Sequence, residues 1–395
     1  MDLELTAADE EFRREARDWL AAHVPAEPLP SLETAEGFAA HRAWERELHG
    51  GRWSAVTWPE EYGGRGASVL QWLLFEEEYH AARAPGRVSQ NGVSLLAPTL
   101  FEHGTDEQVA RVLPPMARGE TVWAQAWSEP GAGSDLAALR SAAVRADGGW
   151  LLRGHKTWSS RAAFADRAFG LFRSHPGGDR PHHGLTYLMF DLAAPGVTVR
   201  PIGRLDGKPA FAELFLEDVF VPDADVIGEP GQGWRVAMST AGNERGLTLR
   251  SPGRFTAAAD RLAALWRAGA DPADTALRDR VADALIGARA YQLSAYAGVA
   301  RLTEGGTPGG SGQPHQNLLV RTRHRPARDR PRPPRATRRT RRRRPRGAGP
   351  RRLGRRLDLR AGRSGLRRYE RDPARHHRRT AAGPAEGTAL SGPRR

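Results

Sequence analysis

Ser128-Glu129-Pro130-Gly131-Ala132-Gly133-Ser134-Asp135 is the stretch from which the rest of the chain becomes readable. Gly131 and Gly133 carry no Cβ, so the backbone there can approach a bound group closely. Ser128 and Ser134 offer hydroxyls, and successive backbone N–H groups in such a turn can face an electron-rich ring or a phosphate. The same residues also make an ordinary tight turn with Asp135 as its cap, and local physics does not separate the two. A second stretch follows at Lys156-Thr157-Trp158-Ser159-Ser160. A lone Trp is more often part of a core. Here a Ser stands two residues beyond it, and the pair could stack on a planar cofactor and hydrogen-bond to it. Two such stretches close together in one β region favour a cofactor site.

Working outward, the pattern around these motifs is β-like from about Val122. Short β-favouring runs, Trp150 to Arg153, Ala168 to Phe172, Thr186 to Phe190, Val197 to Val199 and Ala212 to Val221, alternate with Gly, Asp and Pro. Gly148-Gly149 signals a hairpin. The spacing predicts an antiparallel β domain over 121–232. Before it, 1–120 reads as a helical domain. Thr6 with Asp9 is a capping box that starts a helix at Ala7, with Phe12, Ala16, Trp19 and Leu20 at helical spacing. Pro25, Pro28 and Pro30 close that helix. Ala39 to Leu48 and Leu70 to Arg83 read as further helices, and Thr105 opens another before Pro114-Pro115. After the β region the helical period returns at Trp234, with long helices over Arg254 to Ala268 and Thr275 to Arg301, a partial helical domain over 233–311. The fold class is therefore α+β multidomain: helical, β, then helical and cut short.

The chain changes character near Ser311. Residues 312–395 hold 28 Arg, no Lys and five acids, a net charge of +23, whereas residues 1–311 hold 32 basic and 41 acidic residues, a net charge of −9. The basic balance of the whole chain, +14, thus belongs to its tail. Lys and Arg serve a basic segment about equally, so a tail with Arg alone points to GC-rich codons read out of register. Back-translating Gly312 to Asp329 with permitted codons and reading one base later gives A-S-L-T-K-T-S-W-S-E-L-D-I-A-L-H-E-T, an amphipathic helix. Arg363 to Thr380 gives G-P-A-Y-A-G-T-N-E-I-Q-R-D-I-I-A-E-R, and Leu390-Ser391 can hide a stop codon. As written, the tail is expected to be disordered. There are no cysteines, which excludes disulfides, thiol catalysis and Cys-ligated metals. The N-terminus lacks the pattern of a signal peptide, and no run approaches the ~20 apolar residues of a membrane span. The expectation is a soluble, cytoplasmic protein with no metal and no membrane partner.

Taken together, residues 1–311 resemble the acyl-CoA dehydrogenase family. The resemblance rests on Trp58-Pro59-Glu60-Glu61-Tyr62-Gly63-Gly64, the Ser128–Asp135 and Lys156–Ser160 motifs, Val219-Phe220-Val221-Pro222, and Gly228-Glu229-Pro230-Gly231-Gln232-Gly233-Trp234. The shifted-frame Y-A-G-T-N-E-I-Q-R is similar to the family's C-terminal active-site loop. The resemblance implies FAD between the β domain and a C-terminal helical bundle. Ser128 would hydrogen-bond the ring edge, Trp158 would pack on the ring, and Ser160 would bond near its reactive nitrogen. Ser134 would lie near the thioester or the flavin. The implied reaction is α,β-dehydrogenation of an acyl-CoA. A carboxylate takes the α-proton while the β-hydrogen leaves as hydride to the flavin, which needs a desolvated base and a hydrogen-bonded carbonyl. One branch of the family carries this base in the C-terminal loop, where the shifted frame has Ala. Another carries it on the first helix after the β domain, where this chain has Asn243-Glu244-Arg245-Gly246. Glu244 is thus the candidate base and Arg245 a candidate substrate contact, although a surface Glu-Arg pair is the commoner meaning of such a dipeptide.

The resemblance further implies an electron-transfer acceptor such as a flavoprotein, and a homo- or hetero-oligomer. Read literally, the chain loses much of the helical bundle. The loss of about a dozen core side chains at ~1.5–3 kcal/mol each exceeds the ~5–15 kcal/mol net stability of a domain, so weak flavin binding and little turnover are expected. The alternatives are a catalytically dead remnant, a related flavin oxidase or monooxygenase, and, last, a nucleic-acid binder using the tail. The last would bind phosphate non-specifically with steep salt dependence. The tail lacks interleaved aromatics beyond Tyr369 and any recognition fold, so no specific nucleic-acid partner is expected.

Overall fold

Three capping boxes explain where the N-terminal helices begin. Thr6 Oγ1 accepts from the Asp9 N–H at 3.2 Å and Asp9 accepts from the Thr6 N–H, opening α1 (Ala7–His23). Thr34 caps α2 (Ala35–Gly50) from one side only. Ser68 with Gln71 opens α3 (Val69–Ala81). A π-helical turn over Gly92–Leu96 leads into α4 (Ala97–His103). Thr105 with Gln108 opens α5 (Asp106–Ala117). The computed structural model describes residues 5–246 and 251–303, with side chains at 5–243 and 252–301. The Arg-rich stretch 312–395 and the shifted-frame reading of it lie outside the described residues.

Two differences from the sequence expectation stand out in this half. The helix opened by Thr105 does not stop at Pro114-Pro115 but runs through both. Each proline removes one intrahelical N–H. The carbonyls left over belong to exposed Ala110 and Arg111, which water can satisfy, while Val109, Val112, Leu113 and Met116 bury the opposite face. The sequence pattern also assigned no element to 92–103, because a π-turn breaks the 3.6 period there.

The β region has eight strands among the described residues: β1 (Trp123–Ala126), β2 (Ala142–Ala146), β3 (Gly149–Ser160), β4 (Arg167–Arg173), β5 (Leu185–Asp191), β6 (Val197–Ile202), β7 (Phe211–Pro222) and β8 (Val226–Ile227). Their order is β6-β7-β3-β2-β4-β5-β8, with β1 added to β4. The sheet is mixed rather than all antiparallel: β1 runs parallel to β4, and β2 meets β4 in parallel through Ala142 and Arg173. A parallel neighbour needs a long crossover, and the segment between β1 and β2 that carries the Gly-rich motif is part of it. Gly148, at φ +69°, makes the β2–β3 turn.

Side-chain alternation places the core on both faces of the sheet. On β4 and β5, Phe169, Leu171, Leu185, Tyr187 and Met189 pack with Leu96, Leu100, Leu113 and Met116 of the helical half. The intervening Ala168, Phe172, Leu188 and Phe190 pack with Leu214, Leu216 and Val219 inside the β region. Burial on both faces is why 185–190 reads as a nearly continuous apolar run instead of an alternating one. After β8 come α6 (Gly233–Gly246), α7 (Ser251–Gly269) and α8 (Thr275–Thr303). A Cβ on Gly233 would lie 2.7 Å from the Thr186 and Tyr187 backbone, so α6 starts flush against β5. A Cβ on Gly253 would lie 2.7 Å from the Glu76 carbonyl oxygen, so α7 sits equally close on α3. No helix among the described residues is long and apolar enough to cross a membrane.

Candidate cofactor-binding site

The two motifs are neighbours in space. The Thr157 N–H donates to the Ser128 carbonyl at 2.8 Å, which lays the start of the Gly-rich loop along the end of β3. Within the loop, Glu129 and Ala132 exchange both backbone hydrogen bonds, at 2.9 and 3.0 Å, closing a tight turn around Pro130-Gly131. Neither Gly131 nor Gly133 takes a left-handed φ. A Cβ on either would meet nothing within 4 Å, so the loop presents bare backbone to open space. Ser128 is half-buried and Ser134 exposed.

The end of β3 is irregular at the same place. The β3–β7 register pairs Lys156 with Leu214 and Ser159 with Ala212, so Thr157 and Trp158 together face one residue of β7. This β-bulge re-aims the strand. Lys156 and Thr157 are consecutive and both buried, whereas Trp158 is 60% exposed. Trp158 also has φ +59°, a left-handed conformation that costs an L-residue about 1–2 kcal/mol. A large aromatic held outward in a strained backbone, with the Phe211 ring edge-on to it at 5.7 Å between centroids, is a surface shaped to be covered. Ser160, two residues on, is half-buried. The residue set fits a planar ring with polar edges: an exposed aromatic, two half-buried serines on the adjoining segments, and an open Gly-rich backbone.

Beneath this surface lies a buried ion pair that the sequence motifs contain but do not announce. Lys156 Nζ donates to Glu129 Oε1 at 2.8 Å, to the Leu171 carbonyl at 2.7 Å and to the Trp127 carbonyl at 3.4 Å. Glu129 also accepts from the N–H of Arg140 at 2.7 Å and of Ser141 at 2.9 Å. Burial lowers the Lys156 ammonium to about 8, against the pull of Glu129. Burial opposes ionisation of Glu129 too, but Lys156 and the two backbone N–H groups outweigh it and hold the carboxyl below the usual carboxylate range.

A second buried network ties the site to α6. Trp127 Nε1 donates to Tyr187 Oη at 3.1 Å, Tyr187 Oη is 3.2 Å from Thr240 Oγ1, and Thr240 Oγ1 is 2.8 Å from Thr99 Oγ1. Thr240 lies on α6, one turn before Glu244. Glu244 and Arg245 fall in the last turn of α6, but their side chains lie outside the described residues. The Ser128 segment and the β3 end that carries Trp158 and Ser160 are therefore brought together by the structure, and Ser134 shares the loop of Ser128. A cavity of about 890 Å³ lies at the other end of β3, lined by Gln108, Arg111, Arg145, Trp150, His175 and Asp223. Its cations are already matched, Arg111 to Asp225 and Arg145 to Asp223, and it belongs to neither motif.

A helical half, a mixed β region with an outward aromatic and a Gly-rich loop, and a helical region after it form the arrangement that comparison with known proteins assigns to flavoprotein oxidoreductases acting on acyl-CoA. The family profile for the acyl-CoA dehydrogenase N-terminal domain matches residues 6–120, and that for the middle domain matches residues 124–219. The acyl-CoA dehydrogenase IpdE1 of Mycobacterium tuberculosis is 40% identical over 296 residues, covering 73% of this chain and 76% of that protein. Among solved structures, the Tcur3481–Tcur3483 steroid ACAD superposes with a TM-score of 0.73 at 27% identity, covering 82% of this chain and 83% of that one. The ChsE4–ChsE5 complex of Mycobacterium tuberculosis gives 0.65 at 29% identity, covering 77% and 78%. The chain belongs to the acyl-CoA dehydrogenase family.

Proposed function

We propose that this chain binds FAD and dehydrogenates an acyl-CoA thioester between its α and β carbons. The observation that carries the reading is Trp158, held outward and left-handed beside the open Ser128–Asp135 loop. Ser128 and adjacent backbone hydrogen-bond the ring edge, Trp158 covers the ring, Ser160 bonds near its reactive nitrogen, and Ser134 faces the thioester or the flavin. The flavin, when bound, supplies the hydride acceptor. Glu244 takes the α-proton and Arg245 contacts the substrate. The tie from Trp127 through Tyr187 to Thr240 supports this assignment, because it fixes α6 relative to the residue just before Ser128. The functional division is 1–120, 121–232 and 233–311. An electron-transfer flavoprotein is the acceptor, and the working form is an oligomer. The two-component names of both structural neighbours support an unlike partner subunit, and the steroid ACAD supports a bulky acyl group.

We read residues 312–395 as out of frame. Leu265 is 72% and Ile286 68% exposed, with Leu262 and Leu293 exposed beside them on the α7–α8 hairpin, a stripe that the shifted-frame helices would cover.

The test uses the chain as written and a version with one base removed at codon 312. Retained flavin absorbance and enoyl-CoA formation are expected from the frame-restored chain. Glu244→Gln is expected to lower its turnover about 10³-fold, within the usual range for a lost general base. Peroxide or an oxygenated product in place of enoyl-CoA, or full activity in Glu244→Gln, would overturn the assignment.

A further inference from the structure

We propose that Glu129 and Lys156 are a positioning pair. Their buried ion pair clasps the 128–135 loop to the bulge of β3, so that Ser128, Trp158 and Ser160 meet the flavin as one preorganised surface. The inference rests on the flavin reading above.

The geometry joins four segments at one point. Glu129 stands at the start of the Gly-rich loop, and its carboxylate accepts from Arg140 and Ser141 just before β2. One side chain therefore ties together the two ends of the whole β1–β2 connection, of which the loop is part. Lys156 then ties that carboxylate to β3, to Leu171 of β4 and to Trp127 at the end of β1. The ammonium has three protons to donate and three acceptors on three separate residues within 3.4 Å. The ammonium also lies 4.8 Å from the centre of the Phe172 ring. Within the turn, Ala132 is buried in the core and pairs with Glu129 through the backbone, but Gly131 and Gly133 have no such anchor, since a Cβ on either would touch nothing within 4 Å. Without the pair, the loop would carry glycine's conformational freedom into the complex and lose it on binding. A ring contacted by two hydroxyls and a Trp needs its contacts held to within about half an ångström.

The residue type at 156 carries independent information. Of the 60 basic side chains in the chain, only Lys156 and Lys208 are lysine. In a composition that writes nearly every cation as Arg, the one fully buried cation of this site is Lys. A planar guanidinium sends its donors out in a fixed fork, which suits one carboxylate and not three acceptors around a point. The site is also closed, with Lys156 fully buried.

The experiment compares Lys156→Met, Lys156→Arg and the double variant Lys156→Met/Glu129→Met in the full chain and in the frame-restored chain. A single variant leaves one charge buried and unpaired, which is strongly destabilising. The double variant removes both charges and is the one expected to fold. Two readouts are taken: amide hydrogen exchange at 128–135 and 157–160 against the β4–β5 strands, and FAD affinity by quenching of flavin fluorescence. The double variant is expected to exchange at least tenfold faster in the two segments, with β4–β5 protection unchanged, and to bind FAD at least tenfold more weakly. Lys156→Arg is expected not to restore either. Unchanged exchange and affinity in the double variant, or full rescue by arginine, would overturn the proposal. If neither parent chain binds FAD, the flavin reading fails, and the exchange data still decide whether the pair clasps the loop.

Discussion

At the scale of single residues, Trp158 stands apart, because stability alone would not put it there. Its ring is mostly in water, and its backbone is left-handed. Glycine at this position would remove strain of about 1–2 kcal/mol, add a backbone entropy cost of about 0.5–1 kcal/mol, and lose the buried part of a side chain that is 60% exposed, worth about 1 kcal/mol. Trp158→Gly is therefore expected to shift the free energy of unfolding by less than ~1 kcal/mol and to weaken FAD binding at least tenfold. A melt paired with a flavin titration checks this. A large loss of stability with intact flavin binding would make Trp158 a packing residue. The motif around it was legible in the sequence as a Trp followed two places later by Ser160. Its orientation was not, because a bulge depends on what β7 places opposite. Glu129 and Lys156 were both inside the quoted motifs, yet their pairing was invisible: it is made by the crossover of β1 past β4, a contact with no local signature.

At the scale of elements, local signals worked where local physics decides. Thr6 with Asp9, Ser68 with Gln71 and Thr105 with Gln108 each satisfy orphan N–H groups at a helix start, and such caps are written in four consecutive residues. Element identity failed where tertiary packing decides, as in α5 beyond Pro114 and the π-turn before α4. The seat of α8 is another such case. Glu77 on α3 accepts from Gln292 at 2.5 Å, from the Tyr296 hydroxyl at 3.2 Å and from Arg13 at 3.3 Å. One buried carboxylate thus joins α1, α3 and α8, and burial beside it pushes the Tyr296 phenol above its ordinary range. Glu77→Ala is expected to cost roughly 3 kcal/mol, the low end for breaking a buried pair, since Arg13 remains partly in water. Hydrogen exchange should show the loss concentrated in 288–300, with the β strands unaffected. Uniform loss across the chain would mean that α8 and the β region unfold together.

At the scale of the whole molecule, the sequence divides into a net −9 segment and a net +23 tail, and the tail must be weighed as physics or as reading frame. Scarcity of lysine does not decide it, because Lys156 and Lys208 are the only lysines anywhere in the chain. The weight falls on the two shifted-frame peptides and on the α7–α8 hairpin. Leu262, Leu265, Ile286 and Leu293 are 41%, 72%, 68% and 55% exposed, so burying what remains of them is worth about 3.5–7 kcal/mol at ~1.5–3 kcal/mol per full side chain, overlapping the ~5–15 kcal/mol range that holds a domain together. An Arg-rich segment with few apolar residues cannot supply that burial, whereas an amphipathic helix containing W-S-E-L-D-I-A-L can. The frame-restored chain is thus expected to melt in a single cooperative transition, to bind little of a dye that reports exposed apolar surface, and to hold FAD. The chain as written should bind the dye strongly, melt broadly and associate with nucleic acid in a way abolished by a few hundred millimolar salt, as non-specific phosphate binding is. Identical melts and dye binding for the two chains would show that α7 and α8 need no further helices, and the literal tail would then have to be treated as part of the working protein.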